Sequence, residues 1–87
     1  MTTVAETEYS ERAADWLRDA ESDVQEQVMK RIEQAQDFPD HFLDRLRGSE
    51  YYKLRAGDYR AIIDWRRNKN PEVLFVREID HRSNIYE

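Results

Sequence analysis

The stretch Tyr52-Lys53-Leu54-Arg55-Ala56-Gly57-Asp58-Tyr59-Arg60-Ala61-Ile62-Ile63-Asp64-Trp65 decides the fold of this 87-residue chain, because its hydrophobic period is close to two. Successive side chains of a β-strand point to opposite faces of a sheet, so this period indicates strands with one buried face. The period is interrupted at Ala56-Gly57-Asp58, which has the composition of a tight turn. The stretch therefore predicts a β-hairpin.

Downstream of the hairpin, the polar run from Arg66 to Pro71 predicts a second turn. The following Val73-Leu74-Phe75-Val76 is continuously apolar, which is typical of a strand covered on both faces. We therefore expect a third strand in the interior of the sheet, and the three strands together form an antiparallel meander.

Upstream of the hairpin, the hydrophobic period becomes helical. Ser10 is placed as the N-cap of a first helix that ends near Ala20. Ser22 and Gln25 have the spacing of a capping box, in which their side chains would pair with the first N–H groups of a second helix. Pro39 is expected to end that second helix.

Two shorter segments complete the pattern. Residues 2–8 alternate loosely and suit an N-terminal edge strand. Phe38, Phe42, Leu43 and Leu46 are spaced like one further helical turn. The predicted fold is a single α+β domain over residues 1–87, with an N-terminal strand, a helical hairpin and a three-stranded antiparallel meander that carries the helices on one face.

Composition narrows the classes of function. The chain has no cysteine, which excludes disulfides, thiolate nucleophiles and Cys-based zinc sites. No apolar run is long enough to cross a bilayer and the N-terminus lacks the pattern of a signal peptide, so we expect a cytoplasmic protein without a membrane partner. The sequence has no glycine-rich phosphate loop and no metal-binding motif, so neither a cofactor nor a metal is expected.

Charge is distributed unevenly along the chain, whose formal net charge is −5. Residues 1–44 contain four basic and twelve acidic side chains, whereas residues 45–87 contain ten basic and seven acidic ones. The local field at a site matters more to an anionic ligand than the total charge does. We therefore expect an acidic half that faces away from a locally basic half.

Two blocks of sequence carry a family resemblance: the hairpin from Tyr52 to Ile63, and His81-Arg82-Ser83-Asn84-Ile85-Tyr86 near the C-terminus. Together they resemble the RelE/ParE toxin superfamily. The resemblance implies a toxin of a type II toxin–antitoxin system, held by a cognate antitoxin in a hetero-oligomer. It implies a ribosome-dependent endoribonuclease acting on mRNA. A gyrase-directed toxin and a non-catalytic protein-binding module remain alternatives.

The resemblance also implies roles for individual side chains. Lys53, Arg55 and Arg60 match strand positions where RelE-like enzymes carry basic residues around the scissile phosphate. Arg82 and Tyr86 match a phosphate-binding arginine and a C-terminal tyrosine. The implied catalytic residues are Lys53, Arg60, Arg82 and Tyr86, and the implied RNA-binding residues are Arg55, Arg60 and Arg82. Periodicity alone would instead make the strand cations a solvated face, and Tyr86 a cover on the core.

His81, the first residue of the second block, is the only histidine near the basic residues of that block, and imidazole titrates in the range that acid–base catalysis uses. A general acid or base role is therefore chemically reasonable. A histidine that follows Asp80 at a strand end is more often a hydrogen-bonded scaffold residue, and we favour that interpretation.

Overall fold

A computed structural model describes residues 4–85 of the chain. Tyr86, one of the expected site residues, lies outside this range. The elements in chain order are β1 (Glu6–Tyr9), α1 (Glu11–Asp19), α2 (Ser22–Asp37), α3 (Pro39–Phe42), β2 (Leu43–Arg45), β3 (Tyr52–Ala56), β4 (Tyr59–Arg66) and β5 (Val73–His81).

The strands form one five-stranded sheet in the order β1-β5-β4-β3-β2. β3, β4 and β5 are antiparallel neighbours, so the predicted meander is confirmed, and β5 is an interior strand as expected. β1 pairs in parallel with β5. The N-terminal edge strand is thereby confirmed, but it runs from Glu6 to Tyr9 rather than over residues 2–8, of which residues 2 and 3 lie outside the described range.

The helices and the sheet bury one shared core. The fully buried side chains with the largest volumes come from α2, β3, β4 and β5, and they are Ile32, Leu54, Ile63, Leu74, Val28 and Val76. Trp65 is 8% exposed, and its indole N–H donates to Glu72 Oε1 at 2.9 Å, which satisfies the polar atom of a buried ring. No helix within residues 4–85 is long and apolar enough to cross a membrane.

Ser10 links the first helix to the sheet. Its hydroxyl accepts a hydrogen bond from the backbone N–H of Ala13 at 3.0 Å, which confirms Ser10 as the N-cap of α1. The same hydroxyl donates to the carbonyl oxygen of Arg77 in β5 at 2.5 Å. One side chain therefore fixes both the start of α1 and the backbone of the neighbouring strand.

The predicted capping box at Ser22 is wrong. The N-cap of α2 is Glu21, which makes no side-chain capping hydrogen bond, and Ser22 is already helical. The Gln25 amide donates instead to the carbonyl oxygen of Leu17 at 2.8 Å. A carbonyl in the last turn of α1 lacks a helical partner, so the amide satisfies the end of the first helix rather than the start of the second.

The predicted helical turn through Leu46 is wrong in its second half. α3 ends at Phe42, and Leu43 begins β2, which pairs with β3. Leu43 is 6% exposed and lies opposite Leu54. Cross-strand burial of Leu43 against the hairpin therefore overrides the helical spacing.

Two residues, Gly57 and Asp58, connect β3 to β4. Gly57 has φ +63, a conformation that L side chains adopt only at a cost. A Cβ at this position would also collide with the Gln27 amide of α2. That amide ends a flexible, exposed side chain that can move aside, so the requirement for glycine comes from the backbone conformation.

Candidate functional site

The implied strand cations lie on the sheet face opposite the core. Leu54 and Ala61 are opposite each other and face the helices, so their neighbours along each strand face away. Arg55 is paired with Arg60 in this register. We use "outer face" for the sheet surface that carries Lys53, Arg55, Arg60, Ile62, Glu78 and Asp80.

Arg60 is buried, with 6% of its surface exposed. Its Nη1 donates to the carbonyl oxygens of Gly57 at 2.7 Å and of Tyr59 at 2.8 Å. A buried cation is tolerated when its N–H groups find acceptors, and hydrogen bonds from a charged donor are the stronger kind. Arg60 therefore fastens the turn between β3 and β4, which the alternating sequence did not predict.

Arg82 is attached to the same turn from the opposite side. Its backbone N–H donates to the carbonyl oxygen of Asp58 at 2.8 Å. Its Nε lies 3.7 Å from Asp58 Oδ1, and both side chains are well exposed at 62% and 68%. Both arginines are thus hydrogen-bonded to the same turn, Arg60 as a buried side chain and Arg82 as an exposed one.

A second set of bonds holds the segment after β5. Asp80 Oδ1 accepts from the backbone N–H of His81 at 2.7 Å and from Asn84 Nδ2 at 3.1 Å. Ile85 is 8% exposed, so the chain turns back onto the protein after Arg82. The position of Arg82 is therefore defined by a carboxylate before it and a buried residue after it.

His81 lies on the other face of the sheet from Arg55 and Arg60. It lies opposite Tyr59, whose side chain packs against the core, so the imidazole is on the core side of the sheet end. The two rings meet edge to face at 5.6 Å. His81 Nδ1 lies 2.9 Å from Ser83 Oγ. This arrangement supports the scaffold interpretation and places the imidazole away from Arg55 and Arg60.

The outer face is mixed in charge. Asp44, from the acidic half of the sequence, lies opposite Lys53, and Asp80 lies opposite Arg60. Lys53 is half-buried, whereas Arg55 is exposed. The separation of charge along the sequence is therefore not maintained in space, because strand pairing brings acidic and basic residues side by side.

One pair on the outer face was missed by the sequence interpretation. The Arg77 guanidinium lies over the Tyr51 ring, with Cζ 4.2 Å from the ring centroid, and Nη1 donates to the tyrosine hydroxyl at 2.9 Å. Tyr51 precedes Lys53 by two residues, so alternation could have placed it on this face. Nothing in the sequence period signals Arg77, which lies at a β-bulge.

No group of three or more histidine, aspartate or glutamate side chains in residues 4–85 is arranged to hold a metal ion. The cationic and aromatic side chains that the outer face carries include Lys53, Arg55 and the Tyr51–Arg77 pair. Such groups bind and stabilise anions, phosphates above all.

Comparison with known proteins defines the class. The chain matches the family described as the ParE toxin of the type II toxin–antitoxin system, parDE, over residues 7–86. It therefore belongs to this family, within the RelE/ParE toxin superfamily. The chain is a toxin of the type II toxin–antitoxin class. A search of curated proteins found no match.

Solved structures show the same fold. A chain of the intact Escherichia coli RelBE toxin–antitoxin complex is 28% identical, with a TM-score of 0.72, covering 88% of this chain and 95% of that one. A chain of a Mycobacterium tuberculosis RelBE complex has a TM-score of 0.81 at 15% identity, covering 97% and 98%. A chain of the RelE–RelB complex from Pyrococcus horikoshii has a TM-score of 0.75 at 16% identity, covering 95% and 100%.

Proposed function

We propose that this toxin is a metal-independent endoribonuclease that cleaves mRNA held on the ribosome and so inhibits translation. The observation that carries the proposal is the cationic end of the hairpin, where exposed Arg82 and Arg55 flank a turn fastened by buried Arg60. An RNA phosphate bound there would contact cations that hydrogen bonds to the turn already hold in position. Preorganised charge of this kind is a principal source of transition-state stabilisation.

A small number of side chains would carry the steps of RNA cleavage. In RNA cleavage the 2′-oxygen loses a proton and attacks phosphorus, and the 5′-oxygen departs and takes up a proton. Arg82 and Arg55 would bind the nonbridging oxygens, and Lys53 would stabilise charge or exchange a proton. Arg60 acts as a positioning residue, because its guanidinium donates to the turn to which the Arg82 backbone is hydrogen-bonded. Tyr86 is proposed to orient the attacking hydroxyl or to stack on a base.

Dependence on the ribosome follows from the charge of the protein. With a net charge of −5 and acidic side chains among the cations, the toxin has little long-range attraction for free RNA. A ribosome that holds the message beside the outer face would supply the missing local concentration. The proposed site of action is the cytoplasm.

A cognate antitoxin is the proposed partner. Several of the similar solved structures are complexes of RelE with RelB, which for those proteins means a toxin bound to an antitoxin. We propose that this chain likewise forms a hetero-oligomer in which the antitoxin suppresses the toxin. Co-expression of the antitoxin should therefore relieve the growth arrest that the toxin alone causes.

A gyrase-directed toxin is the second candidate. Its support is the ParE family match, together with the position of His81 on the core side of the sheet, which leaves Arg55 and Arg60 on the other face from that imidazole. A non-catalytic binding module is the third candidate. It predicts that removal of charge at Arg82 has no effect on toxicity.

Experiments in cells distinguish the candidate functions. After induction, a ribosome-dependent nuclease should stop incorporation of labelled methionine within minutes and fragment translated messages, while thymidine incorporation continues at first. A gyrase-directed toxin should instead produce DNA breaks and loss of supercoiling before translation falls. The proposal is contradicted if DNA damage precedes the loss of protein synthesis, or if Arg82→Ala is as toxic as the parent protein.

A further inference from the structure

The Tyr51–Arg77 pair lies on the outer face beside the proposed RNA site, at positions to which no role has been assigned above. Tyr51 directly precedes β3, and its carbonyl oxygen accepts from the backbone N–H of Leu46 at 3.0 Å, which keeps the backbone in line with the strand. Tyr51, Lys53 and Arg55 therefore follow one another on the same face, about 7 Å apart at each step.

A β-bulge brings Arg77 to this position. Ile63 is paired with Val76 and Ile62 with Glu78, which leaves Arg77 as the extra residue of β5. Bulges redirect a side chain relative to the regular alternation. The guanidinium consequently reaches across β4 to the ring of Tyr51.

The backbone at the bulge is held firmly. The carbonyl oxygen of Arg77 accepts the hydrogen bond from Ser10 described above, at 2.5 Å, and Ser10 is itself fixed as the cap of α1. Arg77 therefore projects from a supported strand backbone.

The pair presents a planar cation to solvent, because the Arg77 side chain is exposed while its Cζ lies over the Tyr51 ring. Nucleobases stack on guanidinium and aromatic planes whatever their identity, since every base has a π-face. A single strand bound through its phosphate near Arg55 would bring a neighbouring base to this plane, about two steps of the strand away.

We propose that Tyr51 and Arg77 form a stacking subsite for a nucleobase of single-stranded RNA. The inference rests on the proposed function only in taking RNA as the substrate. It assigns the pair to base binding, whereas Arg82 and Arg55 bind phosphate.

The chain provides a matched control pair. Arg66 lies over Phe75 on the same face, with Cζ 4.6 Å from the ring centroid. Its guanidinium is engaged by carboxylates, Asp64 at 3.3 Å and Glu8 at 3.9 Å. Arg66→Lys thus makes the same change from a planar guanidinium to an ammonium group. It does so in a pair whose positive charge is already paired with carboxylates.

The test is an NMR titration of the purified protein with a single-stranded RNA trinucleotide at millimolar concentration, with ribose 5-phosphate as the base-free probe. The trinucleotide should shift the Tyr51 ring protons and the Arg77 Nε–H, whereas ribose 5-phosphate should not. Arg77→Lys, which keeps the charge and loses the plane, should weaken trinucleotide binding about tenfold. Arg66→Lys should leave it unchanged.

Three results would overturn the subsite: no shift at Tyr51 and Arg77, equal shifts with both probes, or equal weakening by Arg66→Lys. Tyr51→Phe retains the ring and should retain most of the affinity, so a complete loss there would also contradict stacking. The titration needs no catalytic activity. A protein that binds the base but fails to cut mRNA on ribosomes would refute the proposed function and leave the subsite standing.

Discussion

Nη1 of Arg60 lies 2.7 Å from the carbonyl oxygen of Gly57, so a buried cation closes the turn of the hairpin on which it lies. The same nitrogen donates to the carbonyl oxygen of Tyr59 at 2.8 Å. Arg82 binds the intervening residue of this turn, Asp58, through its backbone N–H. The buried arginine and the exposed arginine are therefore linked through hydrogen bonds to the same turn.

Arg60→Met should lower the free energy of unfolding by about 2 kcal/mol, because two carbonyl groups lose a charged donor. Arg55→Met, opposite it in the register and exposed, should change stability by less than about 0.5 kcal/mol. Urea unfolding of the two variants measures the difference. Equal effects would show that Arg60 has no special structural role.

Arg82→Ala should reduce cleavage of ribosome-bound mRNA by roughly a hundredfold to a thousandfold, the usual cost of removing one donor that stabilises a transition state. Its folding should be nearly unaffected, because the ion pair with Asp58 is exposed. Arg47→Ala, another exposed arginine, is the matched control and should keep full activity. Similar activity of both variants would remove Arg82 from the site.

His81→Gln should reduce cleavage much less than Arg82→Ala does, because the imidazole packs on Tyr59 at the core side of the sheet. The shape of the pH–rate profile should stay the same. Loss of one limb of that profile in a folded variant would instead establish His81 as the general acid or base.

Gly57→Ala and Gly48→Ala should destabilise the protein by similar amounts. Both glycines have positive φ, at +63 and +73, so both substitutions carry the same backbone cost of about 1–2 kcal/mol. A Cβ at Gly48 meets open space, and one at Gly57 meets the amide of the exposed, flexible Gln27 side chain, which can move aside. Adding Gln27→Ala to Gly57→Ala should therefore recover little stability. Urea denaturation of these variants tests this, and a much larger cost at Gly57 that Gln27→Ala removes would contradict it.

Ionisation of the Tyr9 phenol should make the free energy of unfolding depend on pH. Burial, and to a smaller extent the nearby Glu33 carboxylate, raise the pKa of its phenol above the ordinary value of 10.0. The unfolded chain therefore loses this proton first, and stability should fall as pH rises above about 10. Tyr9→Phe should make the decline shallower. An identical slope in both proteins, measured by urea unfolding between about pH 8 and 11, would contradict the shift.

Much of the fold could be predicted from local pattern. Alternation gave the β3–β4 hairpin and its glycine turn, and Ser10 marked the start of α1, because these signals lie within a few residues of each other. β2 was missed because three residues with one buried side chain carry no readable period. Gln25 was predicted to cap the start of α2, but its amide pairs with the end of α1. At the corner between the two helices the amide can reach unpaired backbone groups of either helix.

The site was harder to predict for a physical reason. Alternation correctly placed Lys53, Arg55 and Arg60 on one face, yet it could not reveal that Arg60 is buried, since its acceptors are backbone carbonyls of the turn. The contact of Arg77 with Tyr51 depends on a bulge that the sequence period does not show. The role of Tyr86 stays a prediction, because it lies outside residues 4–85.

The central claim is that the ribosome supplies the RNA to a site too weakly cationic to capture it alone. The decisive measurement is cleavage of one message with and without translating ribosomes across a series of salt concentrations, with a gyrase supercoiling assay in parallel. We predict efficient cleavage only on ribosomes, weak and strongly salt-sensitive binding of naked RNA, and unaffected supercoiling. Efficient cleavage of naked RNA at moderate salt, or inhibited supercoiling without any cleavage, would contradict the account.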